Sequence, residues 1–186
     1  MPMTPATRFV CLDTETTGLS SVSDRICEIA AMEFDPVTFK PLSHFHVYLN
    51  PCRPMPYGAY RVHGLSDRFL ADKPLFKSVA SDFLDYVSGS ILYIHNASFD
   101  RRMLDAELAR LALGPLCEHV VDIRCTLQMA RRLRGPGTRN GLDVLCDVYG
   151  VDRSARENHH GALIDTELLL GVVEGLYRHG APVFHI

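Results

Sequence analysis

Asp13-Thr14-Glu15 sets two carboxylates two positions apart, directly after an apolar run. That run, Phe9 to Leu12, reads as a buried strand that ends in the turn DTETTG. Residues two apart on a strand point to the same face, so Asp13 and Glu15 stand side by side. Like charges at such range repel, and one carboxyl raises its pKa unless a cation lies between them. Hard oxygen ligands suit Mg²⁺ or Mn²⁺. The pattern is short, and taken alone a D-x-E more often marks a solvated strand end.

Two further segments carry chemistry. His95-Asn96-Ala97-Ser98-Phe99-Asp100 follows the apolar run ILYI and opens a helical pattern, with Asp100 in its first turn. An acid there commonly does no more than complement the helix dipole, yet the carboxyl ends of strands are also where α/β sheets form sites. His160-Gly161-Ala162-Leu163-Ile164-Asp165 opens the last helical pattern. Five helical positions correspond to about 140° around the axis, so His160 reaches a site beside Asp165 only from the lead-in loop, with Gly161 giving freedom at the boundary. Viewed alone, His160 is as readily a surface histidine. As a set, Asp13, Glu15, Asp100 and Asp165 can hold two divalent ions roughly 3.5–4 Å apart and leave His160 as a free base.

The elements that must position these residues follow from periodicity. Ile29 to Phe34 and His44 to Leu49 read as strands forming an antiparallel meander with the first, separated by the Asp35-Pro36 turn. Asn50 to Tyr60, with three prolines and a glycine, reads as a loop. Apolar residues from Leu75 to Val87 recur at helical spacing, with Pro74 suited to the first turn. Ile91 to Ile94 is a short buried strand, and a helix follows with Ser98 as its N-cap. Val120 to Ile123 is a further strand, followed by a helix to about Leu133. Gly135 to Gly141 is a loop, and helices cover about Leu142 to Tyr149 and Gly161 to Tyr177. Three strands, then alternating helix and strand, then helices, predict an α/β fold with a mixed sheet and helices packed on it.

The 186 residues suit a single domain with one sizeable core, about 8–178. A composition of 47% hydrophobic and 22% charged residues excludes a largely disordered chain. No apolar run approaches the roughly 20 residues that span a bilayer, and MPMTPATRFV lacks the features of a secretory signal. The cytoplasm is the expected location, with no membrane partner. The net charge of −3 counts mildly against a protein living by non-specific nucleic-acid binding, but a nuclease that clusters carboxylates around cations lowers its own charge. Cys11, Cys27, Cys52, Cys117, Cys125 and Cys146 form no C-x-x-C pair and no zinc-like spacing with histidine, so buried reduced thiols are expected. Arg131, Arg132, Arg134 and Arg139 surround the GPGTRNG loop. They could track phosphates, although a solvated helix end is the commoner reading.

LDTETTGL, HNASFD and HGALID, in that order, resemble the three motifs of the DEDDh 3′→5′ exonuclease family. Within it, EIAAMEF, HFHVYLNP, VHGLSDRFLADKP, RNGLDVLC and HHGALID are similar to the proofreading branch, the epsilon subunits of bacterial DNA polymerase III. The similar segments span about residues 8 to 177. The resemblance implies a ribonuclease H-like fold with a five-stranded mixed sheet flanked by helices. It also implies metal ligation by Asp13, Glu15, Asp100 and Asp165, with His160 as general base. The substrate would be the 3′ end of single-stranded or mispaired DNA, and the products 5′-mononucleotides. His63 matches a position that contacts the terminal nucleotide. Thr16, Gly18 and Leu19 match the turn that walls and wedges that nucleotide, and His160 also faces it. One departure is Gly58, where the branch usually carries a glutamate, which leaves a contact to the 3′ nucleotide missing or replaced. The implied partners are the polymerase III catalytic subunit and an accessory subunit. No Q-x-x-h-x-F-like clamp-binding motif and no Gly/Gln-rich linker is present, which fits an excised catalytic domain or a short stand-alone relative. An exoribonuclease or a stand-alone DNA-repair exonuclease of the same family remains open, as does a non-catalytic subunit, which the intact set of five positions argues against.

Overall fold

A computed structural model describes residues 7–156 and 160–184. The first six residues and His159 of the HHGALID segment lie outside them.

Five strands form one mixed sheet. β1 (Arg8–Thr16), β2 (Ile26–Phe34) and β3 (Pro41–Tyr48) make the expected antiparallel meander. β4 (Ser90–Ile94) pairs parallel to β1, and β5 (Asp122–Cys125) parallel to β4, giving the order β3-β2-β1-β4-β5. Parallel neighbours need helical crossovers that cover the sheet faces. α3 (Phe76–Val87) and α4 (Ser98–Ala109) supply one cover, and α7 (Ala162–Arg178) supplies the other with α5 (Thr126–Arg134) and α6 (Leu142–Tyr149). The central strands are accordingly apolar on both faces, and every residue of β4 is buried.

Alternation along β1 divides its side chains between the two layers. Val10 and Leu12 join the α3/α4 core, whereas Cys11, with Phe9 packed beside it, joins the α7 core. A one-residue slip would exchange the two sets. Each buried aliphatic side chain contributes about 1.5–3 kcal/mol, so several such residues outweigh the repulsion between the carboxylates that follow. The apolar register therefore dictates which way Asp13 and Glu15 face. α7 lies close against its neighbours because Gly175 has no side chain, and a Cβ there would overlap the Tyr149 ring. Beyond α7 the chain returns to the sheet, where Ala181 and Val183 are buried and Phe184 meets Phe9 edge-on at 5.1 Å.

Several local expectations need correction. The stretch Asn50 to Tyr60 is not wholly loop. α1 (Tyr57–His63) starts within it after Pro56 and ends at Gly64 with φ 72°, and α2 (Asp67–Leu70) follows. Proline at a helix start leaves no hydrogen bond unmade, so Pro56 is as compatible with the helix that follows it as with a loop. Pro74 lies just before the cap residue Leu75 of α3 and is not in its first turn. Ser98 is the first residue of α4, not its cap; Ala97 holds that place, and the Ser98 Oγ turns to Asn96 Oδ1 at 3.4 Å. β5 starts two residues later than expected, at Asp122 opposite Ile91, after a 3-10 turn at Leu116–Glu118. Cys11, Cys27 and Cys146 are buried free thiols, but Cys52 and Cys117 are exposed. No helix among the described residues is long and apolar enough to cross a membrane.

Candidate active site

β1 outruns β4. Their pairing ends at Leu12 opposite Ile94, while β1 continues beside β2 to Thr16. The β4-side edge of β1 is open from Asp13 onward, and three elements converge there. Asp13 and Glu15 share the strand face that meets α7, because Cys11 on that face packs into the α7 core. Asp165 sits in the first turn of α7. Asp100 sits in the first turn of α4, and its Oδ1 accepts from the Thr14 backbone N–H (3.2 Å) and hydroxyl (2.7 Å). The four sequence-predicted carboxylates thus meet at the carboxyl end of the central strand.

Their electrostatics call for cations. Burial, then the charges of Asp100, Glu15 and Asp165, hold the Asp13 carboxyl well above the usual carboxylate range. Burial, then Asp165, Glu28 and Asp100, push Glu15 up to about 8. Burial pushes Asp100 up to about 7 against the pull of its Thr14 bonds. Burial raises Asp165, opposed by Arg156. One ligand atom each from Glu15, His160 and Asp165 lie within 4.8 Å of one another, so the donor set fits a hard divalent ion.

His160 comes from the lead-in loop, as its spacing to Asp165 required. Its N–H donates to the Val62 carbonyl (3.0 Å), which ties this loop to α1. Its Nδ1 lies 3.7 Å from Asp165 Oδ2. His63, the last residue of α1, is buried beside that tie. Thr16 and Gly18 form the turn after β1, with the Thr16 hydroxyl donating to the Gly18 carbonyl (2.7 Å). A Cβ at Gly18 would overlap the Asp24 carboxyl group, which Ser20, Thr17 and Arg53 hold in place. Leu19 projects from this turn, 79% exposed. Gly58 lies in the first turn of α1, where an added Cβ would meet nothing within 4 Å.

Two positioning residues, Glu28 and Arg156, escaped the sequence reading, and a third groove residue, His95, was noted there without a role. Glu28 is buried on β2, paired across the sheet with Glu15. Its Oε2 accepts from the Ala162 N–H (3.1 Å), and its Oε1 lies 2.7 Å from His46 Nε2. It thereby holds the first residue of α7, and with it Asp165, against β2. Its position gave no sequence signal of this role: it lay just before the strand expected over Ile29 to Phe34, and β2 carries a second acid, Glu33. Arg156, in a 3-10 turn before His160, reaches Asp165, His160 and Asp143; nothing in its spacing distinguishes it from Arg153. His95, at the end of β4, has its Nδ1 3.0 Å from the Thr126 hydroxyl, and burial, then Arg156 and Arg131, lower its pKa to about 4.

A groove of about 780 Å³ opens beside the carboxylates, lined among others by His95, Asn96, Arg131, Arg139, Asp143 and His160. The arginine cluster is split around it. Arg131 and Arg139 face the groove, Arg134 is held by the Arg139 carbonyl (2.6 Å) and Asn140 Oδ1 (2.8 Å), and Arg132 lines a separate depression of about 640 Å³ against β5. That depression contains none of the site residues.

Residues 10–173 match the profile of a family described as Exonuclease. The chain is 43% identical over 176 residues to DNA polymerase III subunit epsilon of Pasteurella multocida, covering 92% of this chain and 68% of that protein. The subunit of the same name from Rickettsia prowazekii is 46% identical over 176 residues, covering 91% and 73%. Among solved structures, exonuclease X in complex with 5′ overhanging duplex DNA superimposes with a TM-score of 0.70 at 26% identity, covering 92% of each chain. Exonuclease I superimposes with a TM-score of 0.81 at 18% identity over 96% of this chain and 42% of that one, a likeness of fold.

Proposed function

We propose, since this chain belongs to the exonuclease family, that it hydrolyses the terminal phosphodiester of single-stranded or mispaired DNA 3′ ends and releases 5′-mononucleotides. The observation that carries this is the convergence of Asp13, Glu15, Asp100, Asp165 and His160 on the open end of β1, with the carboxyl pKa values raised by burial and, for Asp13 and Glu15, by their acidic neighbours. Two divalent ions, Mg²⁺ or Mn²⁺, held by Asp13, Glu15 and Asp165, with Asp100 acting through water, would supply Lewis acidity at the attacking water and at the departing 3′-oxygen.

The chain's own groups do the rest. His160 takes the proton of the attacking water on a ring nitrogen, from a loop that the Val62 carbonyl holds in place. His63 and the Thr16–Gly18 turn bound the space for the terminal nucleotide, and Leu19 wedges against its base. Thr14 fixes Asp100 through two hydrogen bonds. Asn96 and Arg131, on the groove wall, face the phosphates that follow.

The relatives' shared name supports proofreading during replication, with association with the polymerase III catalytic subunit and, further, an accessory subunit. We also assign the described residues to one catalytic domain. The discriminating experiment follows nucleotide release from matched and mismatched primer ends and from an RNA oligonucleotide of the same sequence, with Mg²⁺, Mn²⁺ or EDTA. Proofreading predicts faster release from the mismatched end and little from RNA. Equal or faster release from RNA would move the chain to the exoribonucleases.

A further inference from the structure

One cation of the chain lies inside the acidic cluster. The Arg156 side chain is only 9% exposed. Its Nη2 donates to Asp165 Oδ2 (2.7 Å), and its Nε lies 2.5 Å from Asp165 Oδ1 without the alignment of a hydrogen bond. The guanidinium therefore covers both oxygens of the one carboxylate that α7 brings to the site. The same Nη2 is 2.8 Å from His160 Nδ1. A guanidinium can only donate, so Nδ1 holds its lone pair toward Arg156 and Nε2 carries the ring proton. The basic lone pair of His160 is engaged. The third arm, Nη1, donates to Asp143 Oδ1 on α6, whose side chain is 47% exposed on the groove wall.

A divalent ion ligated by Asp165 would meet this unit charge at contact range inside a partly buried site, where like charges repel strongly. We propose that Arg156 is a resident counter-cation of the metal site: it holds Asp165, His160 and Asp143 together while no divalent ion is bound, and releases the first two, keeping Asp143 as its sole partner, as the ion enters. The proposal rests on the reading of Asp165 as a metal ligand. It assigns Arg156 a positioning role with two docking points, Asp165/His160 and Asp143, and it makes one event free both the ligand oxygens and the base.

The consequence is an inverse effect on metal affinity. An arginine that only braced Asp165 would, when removed, weaken metal binding; a competitor, when removed, strengthens it. The test titrates Mn²⁺ into the metal-free chain by calorimetry for the parent, R156Q, D143N and the double variant. R156Q should bind Mn²⁺ more tightly, by a factor on the order of 5–150, the usual range of coupling between two ligands. D143N removes the second docking point and should bind more weakly than the parent. In the R156Q background the same D143N change should lose most of its effect, because its partner is gone. If R156Q does not fold without metal, R156K decides, since it keeps the charge but cannot cover both oxygens and the imidazole; it too should bind more tightly than the parent. Unchanged or weakened Mn²⁺ affinity in R156Q, or in R156K where that variant decides, overturns the proposal. A parent that binds no Mn²⁺ overturns the metal site itself, and this proposal with it.

Discussion

His160→Ala removes the proton acceptor but leaves the four carboxylates and the apolar cores untouched. Its kcat should fall by about 10²–10⁴-fold, the usual contribution of a positioned general base, with a melting temperature near that of the parent. Unchanged kcat would take His160 out of the mechanism. The placement of the candidate residues was legible in the sequence because spacing carried geometry, while their proposed roles came from the family resemblance. Two positions on a strand put Asp13 and Glu15 on one face, and the five-residue offset of His160 from Asp165 placed the histidine on the lead-in loop. Glu28 and Arg156 were not legible, because their roles exist only through tertiary contacts. Glu28 meets an N–H 134 positions away, and Arg156 differs from Arg153 only in where the chain turns. Ser98 is the converse case, a good cap by type in a place where the tight Asn96-Ala97 turn (Asn96 at φ 59°) already starts the helix.

At the scale of elements, the site depends on how α7 is seated. Glu28→Ala leaves the buried N–H of Ala162 without an acceptor, at a cost of about 1–3 kcal/mol, and frees the end of α7 that carries Asp165. A lower melting temperature and a lower kcat should appear together, while Glu28→Gln, which keeps an acceptor oxygen, should lose less of both. Equal losses in the two variants would show that the carboxylate charge, not the helix anchor, is what matters. α1 answers the opposite way. Gly58 is exposed on this helix with open space at its Cβ, so Gly58→Ala should stabilise the chain by about 0.5–1 kcal/mol in denaturant unfolding. No gain would place Gly58 outside a stable helix. The core strands and long helices were legible from periodicity, whereas α1 was not. Its residues Tyr57 to His63 show little apolar repeat, and the prolines before them mark a loop and a helix start equally well.

For the whole molecule, the acidic cluster ties stability to pH and metal. Burial holds Asp100 up to about 7 and Glu15 up to about 8 in the folded chain, against about 3.9 and 4.3 when unfolded. Between about pH 4 and 8 the folded state keeps protons that the unfolded state releases, so stability is greatest at the acid end of this window and falls as pH rises. In EDTA the melting temperature should therefore be lower at pH 8 than at pH 5, and Mn²⁺ should flatten that slope by favouring the ionised carboxylates. A higher melting temperature at pH 8 in EDTA would mean that the cluster is not raised. All of these effects serve a single claim, that the open end of β1 is a metal-dependent site cutting DNA from its 3′ end. The most direct measurement is the product ladder from a 5′-labelled single-stranded oligonucleotide incubated with the parent and with Asp13→Ala, in Mn²⁺ and in EDTA. The parent with Mn²⁺ should shorten the labelled strand one nucleotide at a time, and EDTA or Asp13→Ala should abolish the ladder. Immediate release of labelled mononucleotide, or an undiminished ladder from Asp13→Ala, would contradict it.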